Sequence, residues 1–212
     1  MYLPLFFDAR RLPCLVVGGG KVGAHKVGLL LSAGAILTVV APAMDDQIRT
    51  AVDRGLATWR AREFRPGDCE GFRLVVAATP LEPVNRAVSD EAKRLGIPVN
   101  VVDAPEMCTF IFGANWHDGP LTVSVSTGGR APFMASAVRD LVAETAGGMG
   151  DWVAVAAKFR AAVRREVASP TERALLFRMF VTRSRLGPPA YPFRNETLAE
   201  WLEWLKDEGK PR

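Results

Sequence analysis

Gly18, Gly20 and Gly23 have the spacing G-x-G-x-x-G, directly after the apolar run Leu15-Val16-Val17. Behind them runs Ala24-His25-Lys26-Val27-Gly28-Leu29-Leu30-Leu31, in which Val27, Leu30 and Leu31 share one helical face. That spacing has a physical job. The first glycine allows a tight strand-to-helix turn, the second lets backbone approach a pyrophosphate, and the third lets the helix lie close to the strand. The helix N-terminus then offers unpaired N–H groups and a positive dipole end to the phosphates. Lys21 is the only basic residue in the loop, with Val22 beside it. A strand before and a helix after favour a dinucleotide cradle over a glycine turn without a ligand.

The second chemical candidate is Asp103, in Val99-Asn100-Val101-Val102-Asp103-Ala104-Pro105. A carboxylate at the end of such a run can take or relay a proton while a neighbouring carbon gives hydride to a nicotinamide. The alternative is that Asp103 caps the loop before Pro105. His25 falls on a helix and reads as structural or surface. His117 falls in a turn with no metal-ligand spacing around it, so no metal site is expected. Cys14, Cys69 and Cys108 form no C-x-x-C and are odd in number, which argues against disulfides and a thiolate zinc site. No Ser-His-Asp or Cys-His arrangement stands out.

The elements that must position these residues alternate. Leu12–Val17, Ile36–Ala41, Ala57–Arg60, Leu74–Ala78 and Pro98–Val102 read as strands. Lys21–Ser32, Asp45–Arg54 and Pro83–Leu95 read as helices, with Arg62–Gly71 a polar connection. This predicts an α/β, Rossmann-like parallel sheet with helices on both faces. Ligands of such sheets sit outside the carboxyl ends of the strands, here Gly18–Gly20, Ala41–Ala43, Ala78–Thr79 and Asn100–Asp103. An acid near the end of the second strand usually holds the ribose hydroxyls of NAD. Here Val40-Ala41-Pro42-Ala43-Met44-Asp45 places it late or not at all, and no Arg stands there for a 2′-phosphate. NAD against NADP stays open on these residues.

After Asp103 the pattern changes. Thr109–Phe112 and Leu121–Ser126 read as strands joined through Trp116-His117-Asp118-Gly119-Pro120, and Ala131–Thr145 as a helix. Gly147-Gly148-Met149-Gly150 reads as a flexible break before helices near Trp152–Val167, Pro170–Arg183 and Glu196–Glu208.

Across 212 residues, 49% hydrophobic and 24% charged, the composition is that of a globular chain with a real core. No run is long and apolar enough to span a membrane, and the N-terminus lacks signal-peptide character, so a cytoplasmic location and no membrane partner are expected. The net charge of +4 is uneven: residues 1–150 balance, and the surplus lies in 151–212. There Lys158, Arg160, Arg164, Arg165, Arg173, Arg178, Arg183 and Arg185 are set against Glu166 and Glu172. Such a face reads either as solvated surface or as an anion site for nucleic acid or a polycarboxylate.

Taken together, these residues resemble the precorrin-2 dehydrogenase / sirohydrochlorin ferrochelatase family, including the N-terminal half of siroheme synthases. The matching pieces are Leu3-Pro4-Leu5-Phe6, Val16–Val22, Lys26, Leu29–Ala35, Val76–Thr79, Val84-Asn85, Val99–Pro105, Thr109–Ile111, Gly119–Leu121 and Ser126–Pro132. Asn100-Val101-Val102-Asp103-Ala104-Pro105 and Ser126-Thr127-Gly128-Gly129 with Pro132 are the specific blocks. His25 where Arg is common, and Gly113-Ala114-Asn115-Trp116 without the usual proline, depart from the pattern.

The resemblance implies oxidation of precorrin-2 to sirohydrochlorin with NAD, and in some members Fe2+ insertion to give siroheme. It implies Asp103 as the catalytic residue. The cofactor-contacting positions it implies are Lys21-Val22 and Pro42-Ala43, which join Gly18, Gly20, Gly23 and Thr79. It implies a homodimer that exchanges the segment after Asp103, and a Thr127 that stands where some members carry a phosphorylated serine. The expected domains are 1–113, the NAD-binding Rossmann-like domain; 114–148, a small α+β dimerisation segment; and 149–212, a helical basic C-terminal domain. A polycarboxylate tetrapyrrole gives the Arg-rich helices a use. Two other readings compete: a dehydrogenase of another substrate, and a non-enzymatic NAD-sensing protein that binds nucleic acid. The basic helices show no aromatic interleaving and no convincing helix-turn-helix, so no nucleic-acid partner is expected.

Overall fold

The computed structural model describes residues 2–184 and 197–206. The chain divides into two compact units, Met1–Phe112 and Gly113–Arg212.

The first unit is built on five parallel strands: β1 (Pro13–Val17), β2 (Ile36–Val40), β3 (Ala57–Arg60), β4 (Leu74–Ala77) and β5 (Val99–Val101). Their order is β3-β2-β1-β4-β5. β1 and β4 have no polar residue and are buried along nearly their whole length, as central strands covered on both faces must be. The helices α1 (Lys21–Ser32), α2 (Asp46–Asp53) and α3 (Glu82–Arg94) supply the cover. Val27, Leu30, Leu37, Val39 and Ile48 share one core, while Leu15, Val17, Val75, Val88 and Val99 share the core on the opposite face. The strand order reverses between β1 and β4. That switch point opens the crevice in which doubly wound sheets hold ligands.

The link from β3 to β4 is braced by charge. Asp68 is 6% exposed and receives Arg62 through both of its oxygens at 2.6 Å, with Arg60 at 3.1 Å and the Arg65 N–H at 2.9 Å. Buried Glu91 of α3 accepts the N–H groups of Gly67 and Cys69 at 3.0 and 2.9 Å, which ties this link to the helix.

In the second unit β6 (Ala114–Asp118) and β7 (Leu121–Val125) form an antiparallel pair, followed by α4 (Pro132–Ala146), α5 (Met149–Glu166), α6 (Pro170–Ser184) and α7 (Leu198–Lys206). Residues 114–148 and the basic helices both fall within this unit. Its core is aromatic: Phe180 stacks on Trp152 and Phe159 at 4.8 and 4.7 Å, with Trp201 beside them. Of the expected Glu196–Glu208 helix the described part is Leu198–Lys206, and both Glu196 and Glu208 lie outside the described residues.

Two expectations are corrected here. Thr109–Phe112 is not a strand. Its backbone is drawn onto β5, since Thr109 donates its N–H to the Val99 carbonyl at 2.8 Å and Asn100 holds the Phe110 carbonyl at 3.1 Å. Phe110 and Phe112 then pack on the α1 side of the sheet. The hairpin strand is instead Ala114–Asp118, so Trp116 and His117 lie in it and the turn is only Gly119-Pro120. Gly119 has φ +53° and proline fixes the next φ negative, the combination of a type II′ hairpin. The break before α5 is also shorter than expected. Gly150 is inside α5, its N–H capped by the Asp118 carboxylate at 2.8 Å, and a β-carbon there would run into the Asp118 carbonyl.

The Asp68 brace makes an acid-stability prediction. Hydrogen bonds from Arg62 hold this carboxyl below its ordinary value. A depressed folded pKa stabilises fully above the unfolded value of about 4 and is lost as pH falls through the lower folded one. Asp68→Asn should lower the melting temperature at pH 7 by about 3–8 °C, and the gap should close on acidification. A gap of the same size at pH 7 and pH 3 would show that the charge is not what stabilises.

Candidate functional site

Four glycines stand at the carboxyl end of β1, and three of them are demanded by backbone contacts. Gly18 has φ +118°, and a β-carbon on it would strike the Ala78 carbonyl beyond β4. One on Gly19 would strike the Ala43 carbonyl, and one on Gly23 the Gly18 carbonyl. Gly20 is different: no atom lies within 4 Å of where its β-carbon would be. It forms the N-cap of α1 with no side-chain cap, so no capping side chain takes up the first-turn amides. Lys21 and Val22 are exposed beside them, and Pro42 and Ala43 are exposed beyond β2. This is the vacant volume and donor set that a dinucleotide pyrophosphate requires, and the residues fit that group.

Thr79, beyond β4, is locked in place by Asn85 of α3. Its hydroxyl and N–H both donate to the Asn85 Oδ1, at 2.8 and 3.2 Å, and the Asn85 Nδ2 returns a bond to the Thr79 carbonyl at 2.9 Å. Asn85 carries no chemistry of its own in sequence; its role as the fourth residue of α3, reaching back to Thr79, becomes clear only from these bonds. Asp45, the late acid of the β2 loop, caps α2 by accepting the Gln47 N–H at 2.9 Å.

Asp103 sits in the turn Val101–Ala104, closed by Ala104 donating to the Val101 carbonyl at 3.4 Å. Its φ is +59°, a left-handed conformation that costs a non-glycine residue about 1–2 kcal/mol, least for Asp and Asn. Among the described residues its exposed carboxylate accepts no hydrogen bond, so it does not cap the loop before Pro105. The turn is built around Cys108. Its sulfur accepts the Val101 N–H at 3.1 Å and faces the carbonyls of Val101 and Ala104 at 3.2 and 3.3 Å. Asp103 lines an open cavity of about 350 Å³ with Pro80, Asn85, Val101, Glu106 and Met107. Lys26 of α1 interacts electrostatically with Asp103 and lies with its ammonium 4.5 Å from the centre of the Phe112 ring.

The remaining candidates fall elsewhere. His25 is exposed on α1, and His117 shares a hydrogen bond with the Thr122 hydroxyl at 3.0 Å. Burial pushes the Cys14 thiol up to about 11 and the Cys69 thiol to about 12, values unsuited to a thiolate nucleophile. The Thr127 hydroxyl accepts the Ala131 N–H at 3.0 Å before α4. Of the basic helices, Arg173 donates to the carbonyls of Val167 and Arg164 and so caps the end of α5, while Arg165 pairs with Glu166 at 2.6 Å. Arg185 and the Arg183 side chain lie outside the described residues. Among the described residues no three His, Cys, Asp or Glu side chains are grouped to hold a metal ion, and no helix is long and apolar enough to cross a membrane.

Comparison with known proteins bears on the family and the fold. Residues 5–114 match an NAD(P)-binding family model, and residues 118–145 match the model of the sirohaem biosynthesis protein central region. The siroheme synthase of Methylococcus capsulatus is 46% identical over 89% of this chain and 39% of its own length. That of Methylobacillus flagellatus is 43% identical over 82% of this chain and 38% of its own. The chain thus spans about two fifths of the length of these curated relatives. Among solved structures, SirC, a precorrin-2 dehydrogenase, superposes with a TM-score of 0.75 over 97% of this chain and 98% of its own, at 20% identity, and shares the fold. Sequence identity of this extent, carried through both units, shows that the chain belongs to the siroheme synthase family.

Proposed function

We propose that this chain oxidises precorrin-2 to sirohydrochlorin with NAD in siroheme biosynthesis, in the cytoplasm. The observation that carries the reading is Asp103: an exposed, strained carboxylate without a hydrogen-bond partner among the described residues, at the mouth of a cavity beside the dinucleotide crevice. Strain kept at an uncapped acid is expected where the acid has work to do.

When bound, NAD supplies the hydride acceptor. Gly18, Gly20 and Gly23 with the amides at Lys21 and Val22 would hold its pyrophosphate, and Pro42, Ala43 and Thr79 would border it. The oxidation removes a hydride and a proton from the macrocycle, and Asp103 would take the proton as general base. The same carboxylate suits metal insertion, in which pyrrole N–H protons leave as Fe2+ enters, so a sirohydrochlorin ferrochelatase activity is proposed with it.

We further propose a homodimer formed through residues 114–148. A two-stranded sheet alone is marginally stable, and α4 exposes Phe133 at 73%, Met134 at 48%, Val138 at 41% and Leu141 at 59%. The helices from 149 onward form the rest of that unit, and among the described residues Arg160, Arg164 and Arg178, which neither cap α5 nor pair with a carboxylate, would be available to a polycarboxylate.

Gly20→Asp should abolish NAD binding while the protein stays folded. The backbone there has φ −78°, open to any residue, and the added carboxylate meets no protein atom but enters the pyrophosphate space. NAD affinity unchanged by calorimetry would remove the loop from the cofactor site.

Leu141→Glu should shift the assembly toward monomer in analytical ultracentrifugation. A dimer of undiminished stability would place the interface elsewhere.

Asp103→Asn should slow precorrin-2 dehydrogenation about 10²–10⁴-fold with NAD affinity little changed. Asn tolerates the left-handed backbone as well as Asp does and keeps the shape, so the loss would report proton transfer. Metal insertion, assayed anaerobically with sirohydrochlorin and Fe2+, should slow with it. Wild-type turnover of both reactions by the variant would rule out Asp103 as the base.

A further inference from the structure

Lys26 lies on α1 six residues beyond Gly20, about 9 Å farther along the axis at 1.5 Å per residue, and so past the phosphate cradle. Its stem is half-buried and Phe112 packs on the surrounding core, with the ring under the ammonium at 4.5 Å. Among the described residues no ion pair engages that ammonium. Burial pushes its pKa down, and the carboxylate of Asp103 opposes this electrostatically from beyond pairing distance. The ring face compensates only part of the lost hydration, because a cation–π contact is worth about 0.5–2 kcal/mol. A half-buried cation is therefore left one counter-charge short, next to the carboxylate proposed to do the chemistry.

We infer that Lys26 anchors a peripheral carboxylate of the tetrapyrrole substrate and so holds the macrocycle with its ring atoms, rather than a carboxylate, toward Asp103. The inference rests on the reading of the preceding subsection and adds a substrate contact to it. The cofactor phosphates have their own donors at the start of α1, so this cation is not needed for them. A substrate that carries carboxylates beside the carbons and nitrogens to be deprotonated meets a positive and a negative group together. It can satisfy both only with a peripheral carboxylate toward Lys26 and the ring atoms toward Asp103, since the reverse sets carboxylate against Asp103. The Phe112 ring under the ammonium keeps it in place, which lowers the entropy lost when the anion arrives.

The test uses the full chain and two variants. Lys26→Met keeps an unbranched apolar stem in the half-buried position while removing the charge; Lys26→Arg keeps the charge. Binding of uroporphyrin, a stable polycarboxylate tetrapyrrole, is read by quenching of tryptophan fluorescence, NAD binding by calorimetry, and precorrin-2 turnover by steady-state kinetics. Lys26→Met should weaken uroporphyrin binding and raise KM for precorrin-2 by about tenfold or more. Its kcat should stay within about threefold and its NAD affinity should not move, and Lys26→Arg should recover most of the binding. Unchanged uroporphyrin affinity in Lys26→Met would overturn the inference. So would a fall in kcat with KM untouched, which would make Lys26 a support for Asp103 instead. A wild-type protein that binds uroporphyrin through Lys26 yet does not oxidise precorrin-2 would sustain the anchor and reject the dehydrogenase reading.

Discussion

The contact on which the first unit depends is one of backbone against backbone at the point where strand order reverses. The turn after β1 lies so close to the segment after β4 that Gly18 has no room for a side chain, and the Gly18 carbonyl in turn excludes one from Gly23. Gly19 is closed in by the loop beyond β2 in the same way. Hydrogen bonds complete the seam: Ala78 donates to Val17 at 2.8 Å, Gly18 to Val40 at 3.0 Å and Asp45 to Gly19 at 2.7 Å. Two connections, those after β2 and β4, are thereby fixed against a single turn. The axis of α1 follows from that turn, and with it the places of the amides at its start and of Lys26 farther along.

Asp103 is held by a different device. β5 has only three residues, too few to place a loop by pairing alone. The chain returns along it instead, with Thr109 exchanging bonds with Val99, Asn100 holding the Phe110 carbonyl, and the Cys108 sulfur filling the middle of the turn. The Ser89 hydroxyl of α3 fixes the Met107 carbonyl at 2.8 Å. A turn clamped on all these sides can keep Asp103 at φ +59° without any bond to its carboxylate. That is how an acid remains unengaged at a fixed position.

Much of this was legible from residue order. The apolar runs and the punctuation by Gly34, Gly96 and Pro98 placed the strands and α-helices of the first unit as far as β5 within a residue or so, while the 3-10 helix Pro105–Met107 went unread, because central parallel strands and amphipathic helices leave strong periodic signals and a three-residue turn does not. The glycine spacing and Asp103 at the end of a strand were legible for the same reason. Beyond Asp103 the reading weakened. Thr109–Phe112 has strand composition but spends its backbone bonds on β5, and Ala114–Asp118 is a strand whose half-exposed residues do not alternate cleanly. Gly150 looked like a hinge, because nothing in the local sequence announces a cap supplied by Asp118 from 32 residues away. Lys26 and Asn85 were visible as matching residues only, since a role made by long-range packing has no local signature.

The adenosine end of the crevice shows how side chains with the right chemistry can be removed from competition. Asp45 is the nearest acid to the end of β2, yet it is committed to capping α2. Arg60 and Arg62, at and just past the end of the neighbouring β3, are the nearest cations, yet both are drawn onto Asp68. A carboxylate receiving two guanidiniums and a backbone N–H in a nearly buried setting does not surrender them to an incoming phosphate without losing charge-assisted bonds of about 1.5–3 kcal/mol each. The loop Pro42-Ala43 is therefore left with backbone and small side chains to offer a ligand, whereas the Lys26 ammonium and the Asp103 carboxylate, which make no ion pair among the described residues, stay uncommitted.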